Sequence, residues 1–116
     1  MKVRNYHKVE KRDTLPREKS VGVGVRVAIS VEDGASQLAM RIIEIESGGL
    51  ISKHAEEHDQ AIFVTKGNGI VTDGTKECQL AADDVLFIPA NQEHQIKNTG
   101  DTRLVLVSTI PILQQD

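Results

Sequence analysis

Apolar residues recur at every second position along much of the chain and almost nowhere at helical spacing. Residues 21–29 read Val-Gly-Val-Gly-Val-Arg-Val-Ala-Ile, the period-two pattern of a half-buried strand. The glycines thin its outward face, so another backbone can approach closely there. Residues 37–46 predict a second strand, with Leu38, Met40 and Ile42 on one face and Ala39, Arg41, Ile43 and Ile45 on the other. Ser47-Gly48-Gly49 interrupts the pattern, and residues 50–54, 61–64, 70–72, 75–80, 85–88, 95–98 and 103–110 follow as short strands. Residues 31–36 form a turn, Asp73-Gly74 predicts a two-residue hairpin turn, and Pro111 ends the last strand. Short, closely spaced strands without a helix predict an all-β sandwich or barrel, and closure into a barrel removes exposed edges.

Residues 1–20 show no clean period and are broken by Pro16, which predicts an extended arm with a short strand over 6–9. The expected organisation is therefore an arm, 1–20, and one barrel domain, 21–116. A chain of 116 residues is one domain with a modest core. A net charge of -3 offers no electrostatic basis for binding nucleic acid or an anionic membrane. Lys2, Arg4, Lys8, Lys11 and Arg12 make the arm locally basic, and Glu10, Asp13 and Glu18 dilute that charge. Cys78 is the only cysteine, so no disulfide forms within the chain and no cysteine zinc motif exists. With no secretory or bilayer-length apolar run, the expectation is a cytoplasmic protein. Tyr6, Phe63 and Phe87 are the only aromatics, which argues against a polysaccharide platform.

The candidate chemistry is concentrated in His54-Ala55-Glu56-Glu57-His58-Asp59-Gln60: two imidazoles, three carboxylates and an amide in seven residues. His94 follows later, in Ile88-Pro89-Ala90-Asn91-Gln92-Glu93-His94. The first motif runs Gly48, five residues, His54, one residue, Glu56, three residues, Gln60, six residues, Gly67. The second runs Asp83, five residues, Pro89, one residue, Asn91, two residues, His94, three residues, Asn98. Over residues 38–110 this resembles the cupin family, whose motifs are G-x5-H-x-H-x3,4-E-x6-G and G-x5-P-x-G-x2-H-x3-N. Here Glu56 replaces the second histidine and Gln60 the glutamate. Asp83 and Asn91 replace turn glycines, and they are the residue types best able to do so in a left-handed conformation. Gln60 and the order of these features are also similar to pectin-degradation cupins that open unsaturated uronate rings.

The resemblance implies a single-domain jelly-roll barrel, a double-stranded β-helix, with a divalent metal in its mouth held by His54, Glu56, Gln60 and His94. Residues 54, 56, 58 and 60 share a parity, but on one straight strand His54 and Gln60 would lie ~20 Å apart. The chain must bend between them, and Glu56 to Asp59 has the polarity of a bend. Such a donor set suits Fe, Mn, Ni or Zn. His58 either replaces Glu56 as a ligand or stands beside the site; Glu56 and His58 are the candidate catalytic acid–base groups. A cupin that keeps the fold without the metal is the alternative. The expected function is a metal-dependent enzyme acting on a small polar organic acid or sugar acid, as an isomerase/lyase or dioxygenase. The second reading is a non-catalytic binding or sensor barrel. Cys78 is expected in barrel packing, and Asp83-Asp84 in a turn. Arg26 and Arg41 lie on strands, either inward, where arginine receives a carboxylate, or on the surface. A homodimer is expected, formed along the thin 21–29 edge, with the 1–20 arm crossing to a twofold-related partner and adding a strand there.

Overall fold

Alternating burial turns nine segments into strands of a curled antiparallel sheet. They are β1 (Arg12–Asp13), β2 (Val21–Ile29), β3 (Leu38–His54), β4 (Gln60–Lys66), β5 (Asn68–Thr72), β6 (Glu77–Ala81), β7 (Val85–Ile88), β8 (His94–Asn98) and β9 (Leu104–Pro111). The computed structural model describes residues 1–13 and 20–112. Hydrogen-bonded neighbours follow the path β6-β5-β8-β3-β9-β4-β7. β3 belongs to both walls of the jelly roll: residues 38–45 pair with β9 and residues 50–54 with β8. β4 shows the alternation most cleanly. Gln60, Ile62 and Val64 point into the barrel, while Ala61, Phe63 and Thr65 are exposed. Ile43, Ile45, Ile96, Leu104 and Leu106 complete the inner core with them. Among the described residues no helix is long and apolar enough to cross a membrane.

Ser47-Gly48-Gly49 does not end a strand; it bends one. Val21 faces Leu50 and Val23 faces Ile45, so two steps along β2 answer five along β3. The excess is absorbed where Gly48 adopts φ 79. A Cβ on Gly49 would sit 2.6 Å from Val21 O and 2.9 Å from Glu46 O, so no larger residue fits without displacing backbone. Asp83 and Asn91 adopt φ 78 and φ 68, the conformation that their replacement of glycine predicts. Asp84 accepts from Ala81 N at 2.8 Å in the turn before β7.

Other expectations are corrected. The expected strand over 6–9 is a 3-10 turn, Tyr6–Lys8, started by the Asn5 side chain accepting from His7 N. The loop between β5 and β6 has four residues, because Thr72 pairs with Glu77. Asp73 Oδ1 accepts from Thr75 N and Lys76 N at 2.8 and 2.7 Å and caps this wider loop. Cys78 is exposed rather than packed, because β6 is a terminal strand of the sheet.

The outer face of β2, β3 and β9 is covered by the chain's own first residues. Tyr6 packs against Ala28, Ile42 and Val105, and Arg12 and Asp13 pair with Val25 and Gly24. Part of the thin β2 edge is therefore occupied within the chain. Beneath this cover lies Glu44, 2% exposed. It receives Arg26 Nε and Arg103 Nη1, each at 2.9 Å, with Lys11 Nζ at 3.7 Å. Arg26 Nη1 also donates to Val9 O and His7 O at 2.7 and 3.1 Å, tying the N-terminal segment to the sheet.

Burial pushes the Glu44 carboxyl up, but the Arg26 hydrogen bond and the charges of Lys11, Arg26 and Arg103 outweigh it and hold the group below its ordinary value. A depressed carboxyl contributes stability above its unfolded pKa, and that contribution is lost as pH falls through the folded value. Stability should therefore decline below about pH 4.5, and Glu44→Gln should flatten that part of the profile. Glu44→Ala should cost about 3 kcal/mol near neutral pH, because it strands the Arg26 charge against the sheet. Urea unfolding across pH checks both; an unchanged acid limb in Glu44→Gln contradicts this role.

Candidate functional site

The loop between β3 and β4 brings the predicted cluster to the barrel mouth. His54 ends β3 and faces His94, the first residue of β8. Their rings lie 4.4 Å apart, centroid to centroid, tilted by 56°. Asn91 N donates to Glu56 O at 2.7 Å, and Ala90 N donates to Asp59 Oδ1 at 3.0 Å. These bonds tie the 55–59 loop to the 89–93 loop, and the left-handed turn at Asn91 aims the first of them. This is the bend that the spacing of His54 and Gln60 requires.

Three histidines share one hydrogen-bonding habit. Nδ1 of His54 lies 2.9 Å from Ser52 O, that of His94 3.0 Å from Gln92 O, and that of His58 3.0 Å from Asp59 O. A carbonyl oxygen only accepts, so Nδ1 carries the hydrogen in each ring, and a neutral ring then has its lone pair on Nε2. Glu56 stands between two of these atoms. Its Oε1 is 3.4 Å from His54 Nε2, and its Oε2 is 3.8 Å from His58 Nε2. A lone pair facing a carboxylate oxygen at that distance is a pairing that a metal cation between them would relieve.

Gln60 enters from the opposite wall. It is 5% exposed, and its Nε2 donates to Ser108 Oγ at 2.7 Å. Its Oε1 is buried without a hydrogen-bond partner, which is costly unless a ligand uses it. Two imidazoles, a carboxylate and an amide oxygen are thus of the right chemistry for a borderline divalent ion. Among the described residues, no three His, Cys, Asp or Glu side chains converge as a ready metal-holding group. A cavity of about 230 Å³ adjoins His94, walled by Val71, Cys78, Leu86, Ile88 and Gln92 among others. A larger one, about 650 Å³, lies outside the barrel beneath residues 1–6, remote from the imidazoles, and its acid Asp33 is paired with Arg4.

Sequence reading missed Ser108, a fully buried polar residue of β9; its parity with Leu104 and Leu106 was the available signal. It left the two strand arginines open. Arg26 joins Glu44 on the outer face, whereas Arg41 lies opposite Ser108 in the β3–β9 ladder and so on the inner face.

A two-walled jelly roll with imidazoles from one wall and a buried amide from the other defines a small barrel protein with its polar site at the open end. The chain belongs to the cupin family: the Cupin_2 profile, a cupin domain, matches residues 41–110. It is similar to an oxalate-binding protein of Thermotoga maritima, 29% identical over 72 residues, which is 61% of this chain and 60% of that relative's length. Among solved structures, the polyketide cyclase RemF of Streptomyces resistomycificus superposes with TM-score 0.87 at 18% identity, over 100% of this chain and 89% of that one. KdgF of Halomonas sp. superposes with TM-score 0.73 at 18% identity, over 92% of each chain. Those two likenesses speak to the fold alone.

The orphan oxygen makes a stability prediction. The double variant Gln60→Leu/Ser108→Ala removes both members of the buried pair and should match the wild type measured in chelator or exceed it by about 1 kcal/mol. Chemical unfolding in the presence of chelator measures this, and a clear loss of stability would mean that the pair supports the fold.

Proposed function

We propose that this cupin holds a divalent metal, Fe, Mn, Ni or Zn, through His54, Glu56, Gln60 and His94, and acts on a small polar organic acid or sugar acid. The reaction classes are isomerase/lyase or dioxygenase. The observation that supports this most directly is the His54–His94 pair, with both Nδ1 atoms engaged by carbonyls, so that Nε2 is the lone-pair nitrogen of each neutral ring. When bound, the ion supplies Lewis acidity toward a carbonyl or hydroxyl oxygen of the ligand.

The chain's own residues supply the remainder. Glu56 and His58 are within 3.8 Å and form the proton-moving pair. In the alternative assignment His58 replaces Glu56 as ligand, and Glu56 alone moves the proton. Gln60, held on Ser108, presents an oxygen that cannot titrate. Ile62, Ile88 and Ile96 close the barrel beneath them and exclude water. A non-catalytic binding barrel is the second reading, favoured by the name of the oxalate-binding relative.

Elemental analysis of protein purified without chelator should find metal in the wild type and little in His94→Ala. Metal at ~100 times its dissociation constant adds ~2.7 kcal/mol. Chelator should therefore lower the Tm of the wild type and leave His94→Ala unmoved; an equal response in both removes His94 from the ligand set. Turnover of a uronate panel, and oxygen uptake with catechol- and thiol-type substrates, separate enzyme from binding barrel.

We also propose a homodimer. Its support is the terminal strand β7, where Val85 and Phe87 are 77% and 62% exposed beside the exposed Phe63 of β4. An apolar edge of this kind, unpaired among the described residues, pairs readily with its own copy about a twofold axis. The wild type should sediment as a dimer and Phe87→Glu as a monomer. Two monomers, or two dimers, contradict this interface.

A further inference from the structure

The outer face of the barrel keeps an apolar hollow under the chain's first residues. Its volume is about 650 Å³, within the ~300–1,000 Å³ typical of small-molecule sites. Ala28 and Ile42 form its floor, 7% and 5% exposed, and Val3, Tyr6, Ile29 and Met40 stand around them. Val3 and Ile29 are exposed, so a ligand seated there removes apolar surface from water. The covering segment is tied at its edges. Arg26 Nη1 donates to His7 O and Val9 O. Arg4 bonds Asp33 in the 3-10 turn Val31–Asp33 and donates to Ala28 O at 3.3 Å. The charged side chains of the lining are Lys2, Arg4 and Asp33. The Arg4 bond holds the Asp33 carboxyl below its ordinary value, helped by the Ser30 N–H and by the charges of Arg4 and Lys2. Arg4 and Asp33 thus satisfy each other. Lys2 makes no hydrogen bond or salt bridge among the described residues.

We infer that this hollow is a second ligand site, outside the barrel, and that its ligand is a free alkyl carboxylate, with the chain on Ile42 and Met40 and the carboxylate at Lys2. The site is independent of the metal and of the barrel mouth. Apolar walls accept any apolar body; the charges decide which head group goes with it. Two cations against one carboxylate leave the lining net positive, so an anionic head is attracted and an ammonium repelled. Lysine carries its charge on a flexible four-carbon stem, which lies along apolar surface while the head stays at the edge in water. The Arg4–Asp33 pair closes one side and remains intact, so docking breaks no bond of the fold. A recess with a buried floor encloses a single chain, whereas a second copy of this protein or a bilayer would meet only its rim.

The test titrates the full chain with octanoate, octanol and octylammonium at low ionic strength, below their micelle concentrations. Calorimetry gives the affinities. Tyr6 is the only tyrosine and there is no tryptophan, so protein emission reports on this hollow directly. The wild type should bind octanoate saturably, with a change in Tyr6 emission, and about fivefold or more tightly than octylammonium. Lys2→Glu should abolish that preference and leave octanol unchanged. Ala35→Phe, which places a ring in the hollow, should remove binding of all three. No saturable octanoate binding, equal affinity for octanoate and octylammonium, or an unaltered preference in Lys2→Glu overturns the inference. So does unchanged binding in Ala35→Phe. Should Ala35→Phe lose its β-sheet circular dichroism, Val3→Asp on the exposed wall decides: weaker octanoate binding supports the site and unchanged binding overturns it. Octanoate affinity that falls in His94→Ala would place the ligand in the mouth and overturn the outer site. Cosedimentation with phosphatidylglycerol vesicles in place of octanoate binding would make the face a membrane contact and overturn it too.

Discussion

One strand has to serve both walls. β3 has 17 residues, and drawn straight at ~3.3 Å per residue it would run ~56 Å. The whole molecule is 37 Å in its longest dimension. The strand must wrap, and it does so where Gly48 takes φ 79 and Gly49 has Val21 O 2.6 Å from where a Cβ would be. The bend lets residues 38–45, paired with β9, and residues 50–54, paired with β8, belong to the two walls of one barrel. Without it neither wall would close, and the residues of the mouth would be distributed along a ribbon.

The mouth is then tuned by backbone atoms. His54 and His94 each bond through Nδ1 to the carbonyl two residues earlier, so the extended backbone of each strand end selects the tautomer of its own ring. Pairing across the β3–β8 ladder brings the two rings side by side with the same atom engaged. Glu56 is carried on a loop whose position is set by amides of the Pro89–Glu93 segment. The site is thus assembled from three chain segments whose mutual placement depends on two left-handed or glycine positions, Asn91 and Gly48.

Most of the barrel was legible because it rests on local signals. Period-two burial fixes which residues of β4 and β9 face inward, and Asp83 and Asn91 carried their positive φ in their chemistry. The pairing of His54 with His94 was legible only through motif spacing. What the sequence did not disclose depends on partners far along the chain. Whether Ser47-Gly48-Gly49 ends a strand or bends one is decided by β2, β8 and β9. Whether Asp73 starts a two-residue turn or caps a four-residue loop is decided by the β5–β6 register. Cys78 has the same strand-like surroundings in sequence whether its strand is central or terminal. Arg26 and Arg41 look alike in their strands; only the ladder shows that one meets Glu44 outside and the other Ser108 inside.

Two buried polar side chains separate the structural end of this molecule from its functional one. Glu44 has both oxygens bonded to arginines, and those arginines anchor the N-terminal cover and the approach to β9. A buried charge satisfied so fully is held for the fold. Gln60 is nearly as buried, yet one of its two amide atoms has no partner. Leucine would fill that place without desolvating an amide, so the amide is a cost to the fold, and such costs persist where a ligand recovers them. Fold similarity cannot make this distinction, because the same fold is found in the polyketide cyclase RemF and in KdgF. The half-satisfied amide and the carboxylate between two imidazoles are where the chemistry of this chain is to be sought.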